Sequence, residues 1–130
     1  MSDSLPELVV HIAEVAEVGD PPVLIAAVAE DSVGGGFRLE FQRASVFDGE
    51  DRRLGMDTYC ICTGEGATHY GGVAAIDARE DRVLISLDEV AAARLHIPES
   101  FWIRLAVATA DGHAFLNALQ RVVAGPNYTR

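Results

Sequence analysis

Apolar and polar residues alternate from Phe37 towards Arg43, so Phe37, Leu39 and Phe41 share one face of an extended segment while Arg38, Glu40 and Gln42 share the other. This predicts a strand with one wet face. Ser32-Val33-Gly34-Gly35-Gly36, rich in residues that accept φ > 0, sits just before it and predicts the turn of a hairpin. Upstream, Leu8 to Val18 (LVVHIAEVAEV) is rich in β-branched residues and ends at Gly19-Asp20-Pro21-Pro22, a cluster no helix crosses. It reads as the first strand. Val23 to Ala29 (VLIAAVA) is a continuous apolar run, consistent with a strand buried on both faces or, given its alanines, with a buried helix. Ala44 to Asp57 reads as a long charged loop around Asp48-Gly49-Glu50-Asp51-Arg52-Arg53, and Thr58 to Thr63 returns to strand composition.

A second glycine-rich loop, Gly64 to Gly72, leads into strands Val73 to Ala78 and Val83 to Leu87, which Arg79-Glu80-Asp81-Arg82 joins as another hairpin. Asp88 is placed to cap a short helix over 88–95, stopped before Pro98, with His96 at the C-cap position usually held by Gly or Asn. Phe101 to Ala108 predicts a strand with Phe101, Ile103, Leu105 and Val107 on one face, broken by Asp111-Gly112. Asp111 then caps a final helix, roughly His113 to Ala124, with Phe115, Leu119, Val122 and Val123 on one stripe, ended by Pro126. The whole predicts one α+β domain over 1–130: about seven mostly antiparallel strands, joined by short connections, and two helices.

Charge narrows the partners. Ten arginines and no lysine face 20 acids, giving a net charge of −10 at pH 7, so nucleic acid, whose phosphates require cations, is not an expected partner. An anionic membrane would repel the same surface, and no apolar run approaches the roughly 20 residues that cross a bilayer. The opening Met1 to Glu7 carries Asp3 and Glu7 without a basic start, which does not read as a secretory signal, so the expected compartment is the cytoplasm. A surface this acidic speeds association with basic proteins, as an inhibitor of a nuclease or another cationic enzyme would need.

The candidate chemistry is thin. Cys60 and Cys62 share one face of a strand, but a zinc site needs four ligands and the nearest candidate, His69, stands seven residues on without a second pair. No metal or cofactor is expected, and two reduced structural thiols are the ordinary reading. His11, in an apolar strand, reads as a partly buried, hydrogen-bonded histidine. His69, in a glycine-flanked loop beside Tyr70, could serve Cys60 or Cys62 as a proton shuttle, which keeps open a small Cys/His enzyme or ligand-binding protein using loop 63–72. Both glycine-rich loops run into strands rather than helices, so hairpin turns explain them better than phosphate cradles.

The punctuation of the chain resembles the immunity protein 10 family. The matching features are Gly55-Met56-Asp57-Thr58-Tyr59 before a strand, Tyr70-Gly71-Gly72-Val73 before the next, and Leu87-Asp88-Glu89 leading through Ala92-Ala93 and Leu95 to Ile97-Pro98. The strand ending in Gln42-Arg43 matches as well, while His96 stands where the pattern has Gly. The resemblance implies a non-enzymatic cytoplasmic binder whose partner is the toxin domain of a neighbouring polymorphic-toxin gene; no catalytic residues carry over. Recognition residues sit on loops of rigid scaffolds, so the expected contacts are Asp48, Glu50, Asp51, Arg52 and Arg53 in the first long loop and Glu65, His69 and Tyr70 in the second.

Overall fold

A computed structural model describes residues 5–31 and 36–124 of the chain. The architecture is α+β, with nine strands in two sheets and three helices among these residues. Five strands form an antiparallel meander: β2 (Ile12–Val18), β3 (Val23–Ala29), β4 (Arg38–Ala44), β5 (Cys60–Thr63) and β6 (Thr68–Tyr70), hydrogen-bonded in that order. The second sheet has the order β1 (Glu7–Val10), β9 (Ser100–Leu105), β8 (Arg82–Leu87), β7 (Val73–Ala78). Its one parallel pair is β1 with β9, where Leu8 lies opposite Ile103.

The alternation in β4 does what its pattern predicts: Leu39 and Phe41 are fully buried, while Arg38, Glu40 and Gln42 are only half-covered. The run Val23 to Ala29 is a strand, not a helix, and pairs with β4 from Val23 opposite Ala44 to Ala29 opposite Arg38. That pairing makes the expected hairpin, although Ser32 to Gly35 of its turn lie outside the described residues. Val83 and Ile85 of β8, Ile103 of β9 and Val10 of β1 face inward and join Leu39, Phe41 and Ile61 of the meander in one continuous core. Helix α3 (Thr109–Ala124) packs its Phe115, Leu119 and Val122 stripe against β2, β3 and β4. Burying each such side chain contributes roughly 1.5–3 kcal/mol.

Six expectations are corrected. The single strand over Leu8 to Val18 is divided at His11 between the two sheets, because Val10 is committed to the core beside β9 while Ile12 opens the register with β3. His11 is exposed rather than partly buried; its backbone N–H donates to the Ala29 carbonyl and its ring Nδ1 to the Glu30 carbonyl, 2.9 Å away, which fixes the crossover. The loop after β4 contains a short helix, α1 (Gly49–Arg53), and the loop after β5 contains β6. Asp111 does not cap the last helix, which begins at Thr109 and carries Asp111 in its first turn. Gly112, read as a breaker, is a buried position inside α3, where a Cβ would meet Val107 and Leu105 only at ordinary contact distances of 3.7 and 3.8 Å. Pro126, expected to end that helix, lies outside the described residues.

The short helix α2 (Glu89–Leu95) follows its prediction closely. Asp88 accepts from the Ala91 backbone N–H at 2.8 Å, and His96 closes the helix in the left-handed region at φ 58°. Ala91, Ala92 and Leu95 are its buried residues.

Candidate functional site

Register decides what the outer face of the meander displays. One cross-strand row runs Glu14, Ala27, Glu40, Cys62, Thr68, and the next runs Ala16, Ile25, Gln42, Cys60, Tyr70. These side chains point away from the core, because the alternate rows carry Val28, Leu39 and Thr63, and Ala26, Phe41, Ile61 and His69. An ion-pair net ties the first row together: Arg38 Nε lies 2.8 Å from Glu40 and its other nitrogen 3.6 Å from Glu14, while Gln42 donates to Glu40 at 2.8 Å.

At the far end of this face, α1 is held over the sheet by a reciprocal cap. Asp48 accepts from the Asp51 backbone N–H at 2.8 Å and Asp51 accepts from the Asp48 backbone N–H at 3.0 Å, the two-way arrangement of a capping box. The helix itself buries nothing, so the buried Phe47 just before it and the half-buried Met56 just after it anchor it. Between α1 and β6 opens a cleft of about 170 Å³ floored by β3, β4 and β5, with Asp51 and Tyr70 among its walls and Gln42, Thr58 and Cys60 lining it. Of the contacts predicted on the two loops, one from each, Asp51 and Tyr70, therefore meets at this cleft.

The remaining predicted contacts scatter around it. Asp48 is occupied with capping, Glu50 and Arg53 form an exposed pair at 3.5 Å along α1, and Arg52 lies exposed on the same helix. Glu65 is exposed in the β5–β6 turn. His69 is on the opposite face of β6 from Tyr70, pairing with Ile61 and reaching towards Gly72, where a Cβ would sit 3.0 Å from its ring. Sequence assigns no contact role to Gln42, Thr58, Phe47 or Met56; Gln42 reads as a polar position of an alternating strand, and Gln42, Met56 and Thr58 enter otherwise only within the motifs of the family resemblance.

The geometry also separates the Cys/His pair. Cys60 and Cys62 have Sγ atoms 4.0 Å apart on the outer face, and His69 faces inward from the neighbouring strand. Burial, and then the adjacent Cys62, push the Cys60 thiol up to about 12, away from the depressed values of nucleophilic cysteines. Tyr70 has its phenol raised by burial, then by Cys60, Cys62 and Asp51. Among the described residues no group of three or more His, Cys, Asp or Glu could hold a metal ion, and no helix is long and apolar enough to cross a membrane.

Tyr59, just before β5, is buried and its hydroxyl accepts from the Val73 backbone N–H at 2.9 Å, while Tyr59 itself accepts the Gly71 backbone N–H at 2.8 Å. Gly72 follows at φ +102°, where a Cβ would lie 2.5 Å from that of Ala91, so the chain can cross from β6 to β7 beneath α2 only with glycine there. The Tyr59 and Tyr70-Gly71-Gly72-Val73 motifs thus work together as one junction between the two sheets. The immunity protein 10 family model matches residues 9–113, which spans this junction, the cleft and α2. The chain belongs to the immunity protein 10 family. No curated protein and no solved structure matches it.

Proposed function

We propose that this immunity protein 10 family member acts in the cytoplasm by binding a cognate polymorphic-toxin domain and occluding it, without chemistry of its own. The family match over residues 9–113 carries this reading. Electrostatics supports it and gives the partner a sign. Of the ten arginines, Arg38, Arg53, Arg79, Arg82, Arg104 and Arg121 are engaged by acids of the same chain, so the excess of 20 acids over 10 bases is presented to solvent and favours a basic toxin surface.

The contact region we assign is the rim formed by α1 and the β5–β6 hairpin. Glu50, Arg52 and Arg53 stand on the exposed side of α1, Asp48 and Asp51 at its start, Tyr70 across the cleft and Glu65 at the hairpin tip. His69 faces the other way and serves the junction instead. The alternative of a Cys/His site loses its geometric basis, since the histidine and the thiols lie on opposite faces.

The test is co-expression and capture. The tagged chain, drawn from its native cells at low salt and washed with rising salt, is expected to retain a single stoichiometric protein whose terminal domain is toxic alone and harmless beside this chain. Retention of no protein, together with a failure to rescue growth from any toxin encoded next to it, would overturn the reading.

A further inference from the structure

We infer that the cleft between α1 and β6 is a receptor for one arginine side chain of the partner, clamped between the Asp51 carboxylate and the Tyr70 ring. The inference rests on the immunity reading for the identity of the partner and on the cleft itself for the chemistry. At about 170 Å³ the cleft is well below the roughly 300–1,000 Å³ of pockets that enclose whole small molecules, and is of a size for a single side chain. Its walls are divided in the way a long cationic side chain requires. Val23, Ala44, Phe47 and Met56 offer an apolar channel for a methylene stem. Asp51, Gln42 and Thr58 supply oxygen acceptors at the polar side, and no Arg, Lys or His lines the cleft.

The polar groups have capacity to spare. The capping bond from the Asp48 backbone uses one oxygen of Asp51, and Gln42 spends its amide nitrogen on Glu40, which leaves an Asp51 oxygen and the Gln42 carbonyl as acceptors. A guanidinium, with five donors in a plane, matches several acceptors at once and stacks on an aromatic face, whereas an ammonium does neither. Tyr70 provides that face on an exposed edge strand, lining the same cleft as Asp51. An anion finds nothing here. The larger cleft of about 390 Å³ beneath α3 lacks this sign, since it mixes Arg43 and Arg121 with Glu17.

Titration of the ¹⁵N-labelled full chain with N-acetyl-arginine amide, followed by amide chemical shifts, tests the cleft without any toxin. Saturable shifts centred on Gln42, Asp51 and Tyr70 are expected, with affinity in the millimolar range that a single small ligand reaches. The uncharged isostere N-acetyl-citrulline amide should bind at least about tenfold more weakly, and Asp51→Asn, which keeps the capping acceptor, should weaken the arginine probe by a similar factor. Tyr70→Leu is the second variant, and Glu80→Gln, exposed in the turn between β7 and β8 on the other sheet, should change nothing. No saturable shift, equal binding of the citrulline or lysine analogue, or indifference to both cleft variants would overturn the assignment. If a toxin is captured and binds Asp51→Asn and Tyr70→Leu as tightly as the parent, the cleft assignment fails while immunity stands. If the titration saturates as expected but no toxin is ever retained, the immunity reading fails while the cleft stands.

Discussion

Individual side chains show where local chemistry was readable and where it was not. His96 was placed at a helix end from the sequence alone, and it does occupy the left-handed region, a conformation that costs an L-residue roughly 1–2 kcal/mol. Glycine adopts this conformation without the side-chain clash, so His96→Gly is expected to stabilise the fold by about 0.5–1 kcal/mol after the greater freedom of glycine in the unfolded chain is deducted. Urea unfolding measures it, and a fall in the midpoint would show that the His96 side chain contributes more than its backbone costs. Cys60 illustrates the opposite case, because a C-x-C spacing says nothing about ionisation. Its folded thiol titrates at about 12 against an ordinary value of 9.0, so between those values the unfolded chain releases a proton that the folded chain keeps. Stability is therefore unaffected below pH 9 and falls as pH rises beyond it, with Tyr59, also raised by burial, acting in the same direction above pH 10. Unfolding midpoints measured from pH 7 to 11 should fall on the alkaline side, less steeply in Cys60→Ser. Alkylation at pH 7 should be much slower than for an unperturbed cysteine; rapid labelling would contradict the burial.

At the scale of elements, capping signals outperformed length and composition. Asp88 was legible because an N-cap is a local event: its side chain bonds a backbone N–H three residues on, whatever the rest of the chain does. Asp88→Ala should cost about 1 kcal/mol in chemical denaturation, and a change below a few tenths would mean that water or a neighbouring group caps α2 as well. Asp48 carries the same signature, yet the segment following it reads as loop, since α1 has only five residues and buries none of them. Short elements of this kind are stabilised by what flanks them, here Phe47 and Met56, and not by their own periodicity. The division at His11 and the early start of α3 were illegible for a related reason. A β-branched run does not record which sheet each half joins, and Gly112 looks like punctuation although it lies buried within α3.

For the molecule as a whole, the distribution of charge matters more than any single acid. Arginines that neutralise neighbours across strands, such as Arg104 with Glu7 at 3.2 Å and Asp81 at 3.2 Å, are exposed pairs whose stabilisation is small and salt-sensitive. Their larger effect is to leave the surplus acids to act at long range. The triple variant Asp48→Asn, Glu50→Gln, Asp51→Asn should therefore slow association with a basic partner several-fold at low salt and flatten the dependence of the on-rate on ionic strength, as stopped-flow mixing would record. An unchanged on-rate and salt slope would place the steering field elsewhere on the molecule.

The sequence by itself determined the α+β class, most strand and helix positions, the cap of α2, the net charge and the resemblance that the family match then secured. Each of these depends on near neighbours in the chain or on a simple count, so no knowledge of packing is needed to obtain them. Only the tertiary structure decided that Leu8 to Val18 serves two sheets, that His69 turns away from Tyr70 and the thiols, and that Asp51 and Tyr70 face each other across a cleft. Those facts follow from register, in which a shift of one residue moves every side chain to the other face, and register is set by pairing between segments far apart in sequence.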